Sequence, residues 1–213
     1  MSKVQVFSEC VALLGDVVGS RDSRRAVVHD AILTAITATN TAVVALDPLR
    51  VTVGDELQGV YTTLGDAVSA TMMLRDELLG TAELRVGLGG GELQVVDARR
   101  GIQDGSAWWN ARDAIVTAKA LALRPGYHTT RTALIDHRAV ANPLVDPLLR
   151  LLDAHLADLR EGSRRTWRDF RGGLSNRDLA AREGVSASAI SQRINNTGLR
   201  PLKEVVDALT SLP

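Results

Sequence analysis

The chain has 213 residues, with 25 Lys+Arg, 25 Asp+Glu and 45% hydrophobic residues, which is the composition of a folded globular protein rather than a disordered or collagen-like one. No apolar run reaches the about 20 residues that a membrane helix needs, so we expect no membrane contact. The only cysteine, Cys10, excludes an internal disulfide and a CxxC zinc site, which predicts a reducing, cytoplasmic location.

The first 140 residues alternate between strand and helix patterns. Runs of apolar, β-branched or alternating residues predict strands at 11–15, 43–45, 49–53, 57–61, 84–88 and 93–96. Apolar residues at helical spacing predict helices at 24–39, 67–79 and 108–123. This order is that of a ferredoxin-like or palm-type α+β sheet with helices, and we assign it to a first domain at 1–140, which we call the sheet domain.

In the last third of the chain the strand pattern stops, and we predict an all-α domain at 141–213, which we call the tail. An amphipathic helix over 142–160 is followed by a short helix that carries Trp167 and Phe170, and a last amphipathic helix covers 201–212.

Residues 174–194 have the pattern of a helix-turn-helix. Gly184 suits the positive φ of the turn, and Ser186 is a preferred N-cap for the second helix. The apolar positions predicted to pack the two helices together are Leu179, Ala180, Val185, Ile190 and Ile194.

We expect the second of these helices to enter the major groove of DNA. Small and amide side chains can hydrogen-bond base edges there, while arginines contact phosphates. The residues predicted to bind DNA are Arg177, Ser186, Ser188, Ser191, Gln192, Arg193 and Asn195.

The charge distribution agrees with a polyanion partner for the tail. Residues 160–213 carry 10 Lys+Arg and 6 Asp+Glu, whereas residues 1–159 carry 15 and 19. Because a single motif of this kind covers little DNA, we expect a homodimer. The alternatives are a helical hairpin that only packs and a helix-turn-helix that contacts another protein.

Two acidic segments of the first domain predict a metal site. Asp16 stands at the end of an apolar strand, and Asp55 and Glu56 follow Gly54 on a hairpin. If neighbouring strands bring these carboxylates together, they suit Mg²⁺ or Mn²⁺ bound to phosphate oxygens. The alternative is that each residue serves only its own turn.

The same domain contains segments predicted to bind a nucleotide. A turn after Asp16 offers backbone N–H groups, and residues 85–92 form a glycine-rich strand and turn that a ligand can approach closely. The predicted nucleotide-binding residues of these segments are Gly19, Ser20, Arg21, Gly89 and Gly90. The alternative for the glycines is bulge geometry.

Four segments in this order resemble the SatD-like family of bacterial proteins, and the resemblance extends to the helix-turn-helix tail. They are LGDVVGS at 14–20, TVGDE at 52–56, LRVGLGGG at 84–91 and DGSAWWNAR at 104–112. The same segments are more distantly similar to class III nucleotidyl cyclases and the GGDEF-type cyclase palm. That similarity implies a nucleotide-binding ancestry, with two metal ions on Asp16 and Asp55 and with Asn110 at the nucleotide. The arginine of the cyclase pattern falls at Ala114 in this chain, and Arg112, two residues earlier, is predicted to bind a phosphate.

Three functions follow, in decreasing order of support. The first is a DNA-binding transcriptional regulator, cytoplasmic and homodimeric, whose body senses a nucleotide-type ligand with Mg²⁺. The second is a metal-dependent nucleotidyl cyclase or nucleotide phosphotransfer enzyme that its tail regulates. The third is a DNA-binding protein whose body only dimerises.

Overall fold

A computed structural model describes residues 5–19, 25–52 and 54–213; the predicted ligand residues Ser20 and Arg21 lie outside these ranges. The first half contains β1 Gln5–Val17, α1 Arg25–Ala42, β2 Asp47–Val51, β3 Leu57–Tyr61, α2 Leu64–Glu77, β4 Leu84–Asp97 and β5 Ile102–Asp104. The second half contains α3 Ser106–Leu121, β6 Thr132–Asp136, α4 Val145–Asp158, α5 Glu161–Arg171, α6 Asn176–Glu183, α7 Ala187–Asn196 and α8 Leu199–Leu209.

The strands form one mixed, palm-like sheet in the order β2-β3-β1-β4-β5, and β6 pairs with β4 as well. The β4–β6 pair is parallel, and the other pairs are antiparallel. The predicted α+β class is therefore confirmed. The long strands β1 and β4 stand in the middle of the sheet. The last residues of β1 and the first residues of β4 lie at the same end of the sheet as the turn between β2 and β3.

The central strand β1 is buried on both faces from Cys10 to Gly15. Val11 and Leu13 belong to the core under α1 and α2, whereas Ala12 and Leu14 belong to a smaller core under α3. A strand covered on both sides reads as a continuous apolar run, which explains the sequence of this segment.

Helix α3 lies directly on β4 because both elements present small residues there. A Cβ atom on Gly89 would stand 2.1 Å from the backbone nitrogen of Ala111, and one on Gly87 would stand 2.3 Å from its carbonyl oxygen. Only glycine permits so close a helix–strand approach.

Three predicted strands need correction, and two further strands were missed. Residues 43–45 are not a strand, because α1 continues to Ala42 and Val43 extends its buried stripe. The predicted strands at 84–88 and 93–96 are one strand, β4, which runs through the glycines. The short strands β5 and β6 were not predicted.

The tail packs on the sheet domain through α2 and α4. Asp153 of α4 is almost fully buried and accepts hydrogen bonds from Arg75 of α2 and from the backbone N–H groups of Arg131 and Thr132. Helix α4 begins at Val145, later than the predicted residue 142, and Leu144 and Leu151 are exposed. Within the described ranges, no helix combines the length and the hydropathy that a bilayer span requires.

Candidate functional site

The predicted metal ligand Asp16 is held by an arginine. Asp16 and Arg85 stand opposite each other on β1 and β4. The Arg85 Nη1 atom donates to both carboxylate oxygens of Asp16, at 2.9 and 3.1 Å. The charge of the carboxylate is therefore neutralised within the sheet domain.

The second acidic position forms a similar pair. Glu56 accepts from both terminal nitrogens of Arg112, with Nη2 to Oε1 at 2.6 Å. This hydrogen bond is the main cause that raises the pKa of the Arg112 guanidinium, and Asp16 adds a smaller electrostatic contribution. The strand register places Gly15 opposite Leu57, so Asp16 adjoins the hairpin. The register therefore places the two acidic segments at the same end of the sheet.

These contacts do not fit a divalent cation. A hard cation needs several free carboxylate or carbonyl oxygens, and in residues 5–19, 25–52 and 54–213 no three His, Cys, Asp or Glu side chains are grouped to hold one. Asp16 and Glu56 are bound to arginines, and Asp55 stands half-buried at the hairpin tip. The Mg²⁺ or Mn²⁺ site predicted on Asp16, Asp55 and Glu56 is not formed here, so we derive no chemistry through a metal.

The glycines predicted to cradle a nucleotide are covered by protein. Gly89 lies under α3, and a Cβ on Gly90 would stand 1.8 Å from a carboxylate oxygen of Asp136. Asn110 is buried and donates its side-chain amide to the carbonyl of Gly90 at 2.8 Å. These three predicted ligand residues serve helix–sheet packing instead. Gly19 forms a turn with φ of 76°.

An open cleft of about 620 Å³ adjoins the Glu56–Arg112 pair on the α3 side of the sheet. Arg112 forms part of the cleft wall, so its guanidinium, which binds Glu56, also faces the cleft. The other lining residues are Leu14, Gln58, Gly101, Ile102, Gln103, Trp108, Trp109 and Asp113. The cleft thus combines aromatic faces, amides, one guanidinium and the carboxylate of Asp113.

The two tryptophans of the cleft are anchored through their indole nitrogens. Trp108 donates to Gln103 at 3.2 Å, and Trp109 donates to Asp104 at 3.0 Å. Gln103 in turn donates to Asp47 of β2 at 2.9 Å. The β5 segment therefore fixes both rings, and Trp109 keeps an exposed face.

Sequence reasoning missed several residues of this region. Arg85 was read as part of a glycine-rich strand, and only the β1–β4 register reveals that it opposes Asp16. Gln58 and Gln103 come from distant strands and lie in no recognisable motif. A search for polar residues that alternate with buried ones along β3 would have indicated Gln58.

In the tail, α6 and α7 are joined by a short turn with the predicted local geometry. Gly184 has φ of 67°, and the Ser186 side chain accepts the backbone N–H of Ala189 at 3.1 Å. Leu179, Ala180, Ile190 and Ile194 are buried between the helices, as predicted. Val185 is not part of this contact and is exposed.

The outer face of α7 is open. Arg177 and the predicted α7 residues Ser188, Gln192 and Asn195 are exposed, and Ser191 is half-buried. Arg193 differs from the prediction, since its guanidinium points inward and donates to Glu183 and, at 2.8 Å, to the hydroxyl of Thr166. Arg193 therefore ties α7 to α5 and α6 and is not available to a phosphate in this arrangement.

No model of a known protein family matches the chain, and no curated protein has a similar sequence. The resemblance to the SatD-like family therefore stays a prediction. Solved structures share part of the fold at low identity.

One is the catalytic core of a rhodopsin-guanylyl cyclase with converted specificity in complex with ATPalphaS (16% identity, TM-score 0.41, 53% of this chain and 74% of that chain). Another is a bacterial light-regulated adenylyl cyclase (14%, 0.42, 55% and 73%). A third is the monomeric guanylyl cyclase domain of the RhoGC fusion protein from the aquatic fungus Blastocladiella emersonii (14%, 0.39, 52% and 77%). The likeness is one of fold over about half of this chain.

Proposed function

We propose that this chain is a homodimeric DNA-binding regulator in which α6 and α7 form the DNA-reading helix-turn-helix. The observation that carries the proposal is the open face of α7, which is presented by a capped, well-packed helix pair. Ser188, Gln192 and Asn195 are exposed on that face, and small or amide side chains of this kind can reach base edges.

The surroundings of α7 support the same reading. The Arg193–Glu183–Thr166 contacts fix the orientation of α7 on the rest of the tail. Arg177 is exposed at the beginning of α6, where an arginine can bind a phosphate. Non-specific attraction then comes from the excess of basic residues in the tail.

The cleft beside α3 is the proposed binding site for a nucleotide-type ligand. The exposed face of Trp109 can stack on a base, and the amide of Gln58 can hydrogen-bond its edge. Arg112 binds a phosphate only where the ligand displaces Glu56 from its guanidinium. Asp16 and Glu56 do not enter this proposal as metal ligands. Binding of ATP or GTP in metal-free buffer is therefore expected to quench tryptophan fluorescence, and Trp109→Ala is expected to abolish the change.

Helix α2 connects the sheet domain to the tail at both ends. At its beginning, the Gly65 N–H donates to the carbonyl of Leu212 at 3.0 Å. At its end, Arg171 of α5 donates to Asp76 at 3.0 Å, and burial raises the pKa of the Asp76 carboxyl. A ligand that shifts the sheet domain can thus alter the spacing of the two α7 helices in a dimer.

The direct experiment is selection from a pool of random 30-base-pair duplexes, followed by fluorescence anisotropy on the enriched sequence. We expect enrichment of a two-fold symmetric site and a salt-dependent affinity. No enrichment, together with equal, weak binding to every duplex, would contradict the DNA-reading role.

The nucleotidyl cyclase alternative is tested separately. Incubation of the protein with ATP or GTP and Mn²⁺ is expected to give no cyclic nucleotide, because Asp16 and Glu56 are bound to arginines. Product formation that Asp16→Ala abolishes would favour the enzyme instead.

A further inference from the structure

Helix α3 presents an apolar stripe to solvent on the side away from the sheet. Trp109, Val116 and Leu123 are 61%, 58% and 85% exposed. Each is two helical turns from the next, so the three side chains lie along one line that runs past the end of α3. Asp113 and Lys119 are exposed between these three residues, so this side of α3 alternates apolar and charged side chains.

We propose that the occupant is a second copy of this chain, with the two α3 helices packed antiparallel and Val116 on the two-fold axis. The assignment deepens the proposed function, on which its role in DNA reading rests, by naming the surface that forms the dimer. The same patch on both subunits then meets itself, as two-fold symmetry requires.

The charges beside the stripe fit this arrangement. Antiparallel packing about Val116 places Trp109 against the partner's Leu123 and Asp113 against the partner's Lys119. Both charged residues are exposed, and neither takes part in an ion pair within the described part of the chain. Parallel packing in register would instead bring the two Asp113 carboxylates together, so the charge pattern selects the antiparallel orientation.

The apolar surface continues beyond the helix. Ile102 of β5 is exposed and lines the same cleft as Trp109. This continuity widens the contact toward the about 800 Å² per subunit that a stable interface buries. Since Trp109 belongs to both the stripe and the cleft, the partner's Leu123 and a base stacked on Trp109 would contact the same ring, and we expect the two contacts to compete.

A second exposed apolar stripe, on α4, lacks these features. Leu144 and Leu151 are exposed, but the nearby charges of Asp146 and Arg150 are already paired with each other. Asp158 is exposed and unpaired on the same helix, but α4 has no unpaired arginine or lysine that could meet it in a second copy, so α4 supplies a control for α3.

Analytical ultracentrifugation without DNA tests the interface. We expect the wild-type chain to be a dimer at micromolar concentration, and Val116→Arg to raise the dimer Kd about 100-fold, because two cations then meet on the axis. Leu151→Arg makes the same change on α4 and is expected to leave the Kd within about threefold. A monomeric wild type, or a dimer that Leu151→Arg breaks and Val116→Arg does not, would overturn the proposal.

A charge swap tests the register. Asp113→Lys alone and Lys119→Asp alone are each expected to raise the dimer Kd about tenfold, and the double variant is expected to restore it. Circular dichroism confirms that each variant is folded. Failure of the double variant to restore the dimer would overturn the antiparallel pairing. A wild-type chain that forms this dimer but does not bind DNA would instead contradict only the proposed function.

Discussion

The sheet domain and the tail use their polar residues in opposite ways. In the sheet domain, Asp16 and Glu56 are bound to Arg85 and Arg112, Gly89 is covered by α3, and Gly90 is covered by Asp136. In the tail, Ser188, Gln192 and Asn195 are exposed on the outer face of α7, where Asn195 accepts a hydrogen bond from Arg200. Polar residues that suggest a binding site are thus paired with each other in the sheet domain, whereas on α7 they are exposed to solvent. The partners, which the sequence does not list, decide between these outcomes.

The largest expected effect tests whether the glycines of β4 serve packing. Gly89→Val would place a Cβ 2.1 Å from the Ala111 nitrogen, and we expect it to lower the free energy of unfolding by at least about 3 kcal/mol or to prevent folding. Gly162→Ala is the control, because the nearest atom to its Cβ would be 3.9 Å away, and it is expected to change stability by under about 1 kcal/mol. A folded, stable Gly89→Val protein with weaker nucleotide binding would restore the ligand role of Gly89.

The junction between the two regions gives the next effect. Asp153→Ala leaves Arg75 and two backbone N–H groups without their acceptor, and we expect a loss of about 3–5 kcal/mol in urea unfolding. Asp158→Ala, on the exposed side of the same helix, is expected to change stability by less than about 0.5 kcal/mol. Equal effects would show that the junction is not a buried charge network.

Because Arg85 binds the Asp16 carboxylate, we expect the wild type to bind Mn²⁺ weakly and the removal of Arg85 to strengthen the binding. Arg85→Ala frees the Asp16 carboxylate, and we expect at least about tenfold tighter Mn²⁺ binding than in the wild type, measured by isothermal titration calorimetry. The double variant Arg85→Ala with Asp16→Asn is expected to lose the gain. Tight Mn²⁺ binding by the wild type that Asp16→Asn abolishes would show that the pair opens readily.

The smallest effect concerns the buried thiol. Desolvation raises the pKa of Cys10 from 9.0 to about 11, so above pH 9 the unfolded chain loses this proton before the folded one does. The free energy of unfolding is therefore expected to fall between pH 9 and pH 11 more in the wild type than in Cys10→Ala. Equal slopes in urea unfolding would show that this thiol is not desolvated.

Local patterns predicted much of this structure. The α+β class, the β2–β3 hairpin at Gly54 and the cap at Ser186 follow from periodicity and turn chemistry, which depend on neighbouring residues. The strand β6 was missed because it is short and joins β4 from a distant part of the chain. Arg193 was read as a phosphate ligand because its partners, Glu183 and Thr166, come from other helices.

The central claim is that the α7 face reads DNA, and one pair of charge-matched variants tests it most directly. Ser188→Glu puts a carboxylate on that face, whereas Ala208→Glu puts the same charge on an exposed position of α8. With the selected duplex at constant salt, anisotropy is expected to show at least about tenfold weaker binding for Ser188→Glu and a change under about threefold for Ala208→Glu. Equal affinities of the two variants would contradict the assignment of α7 as the reading helix.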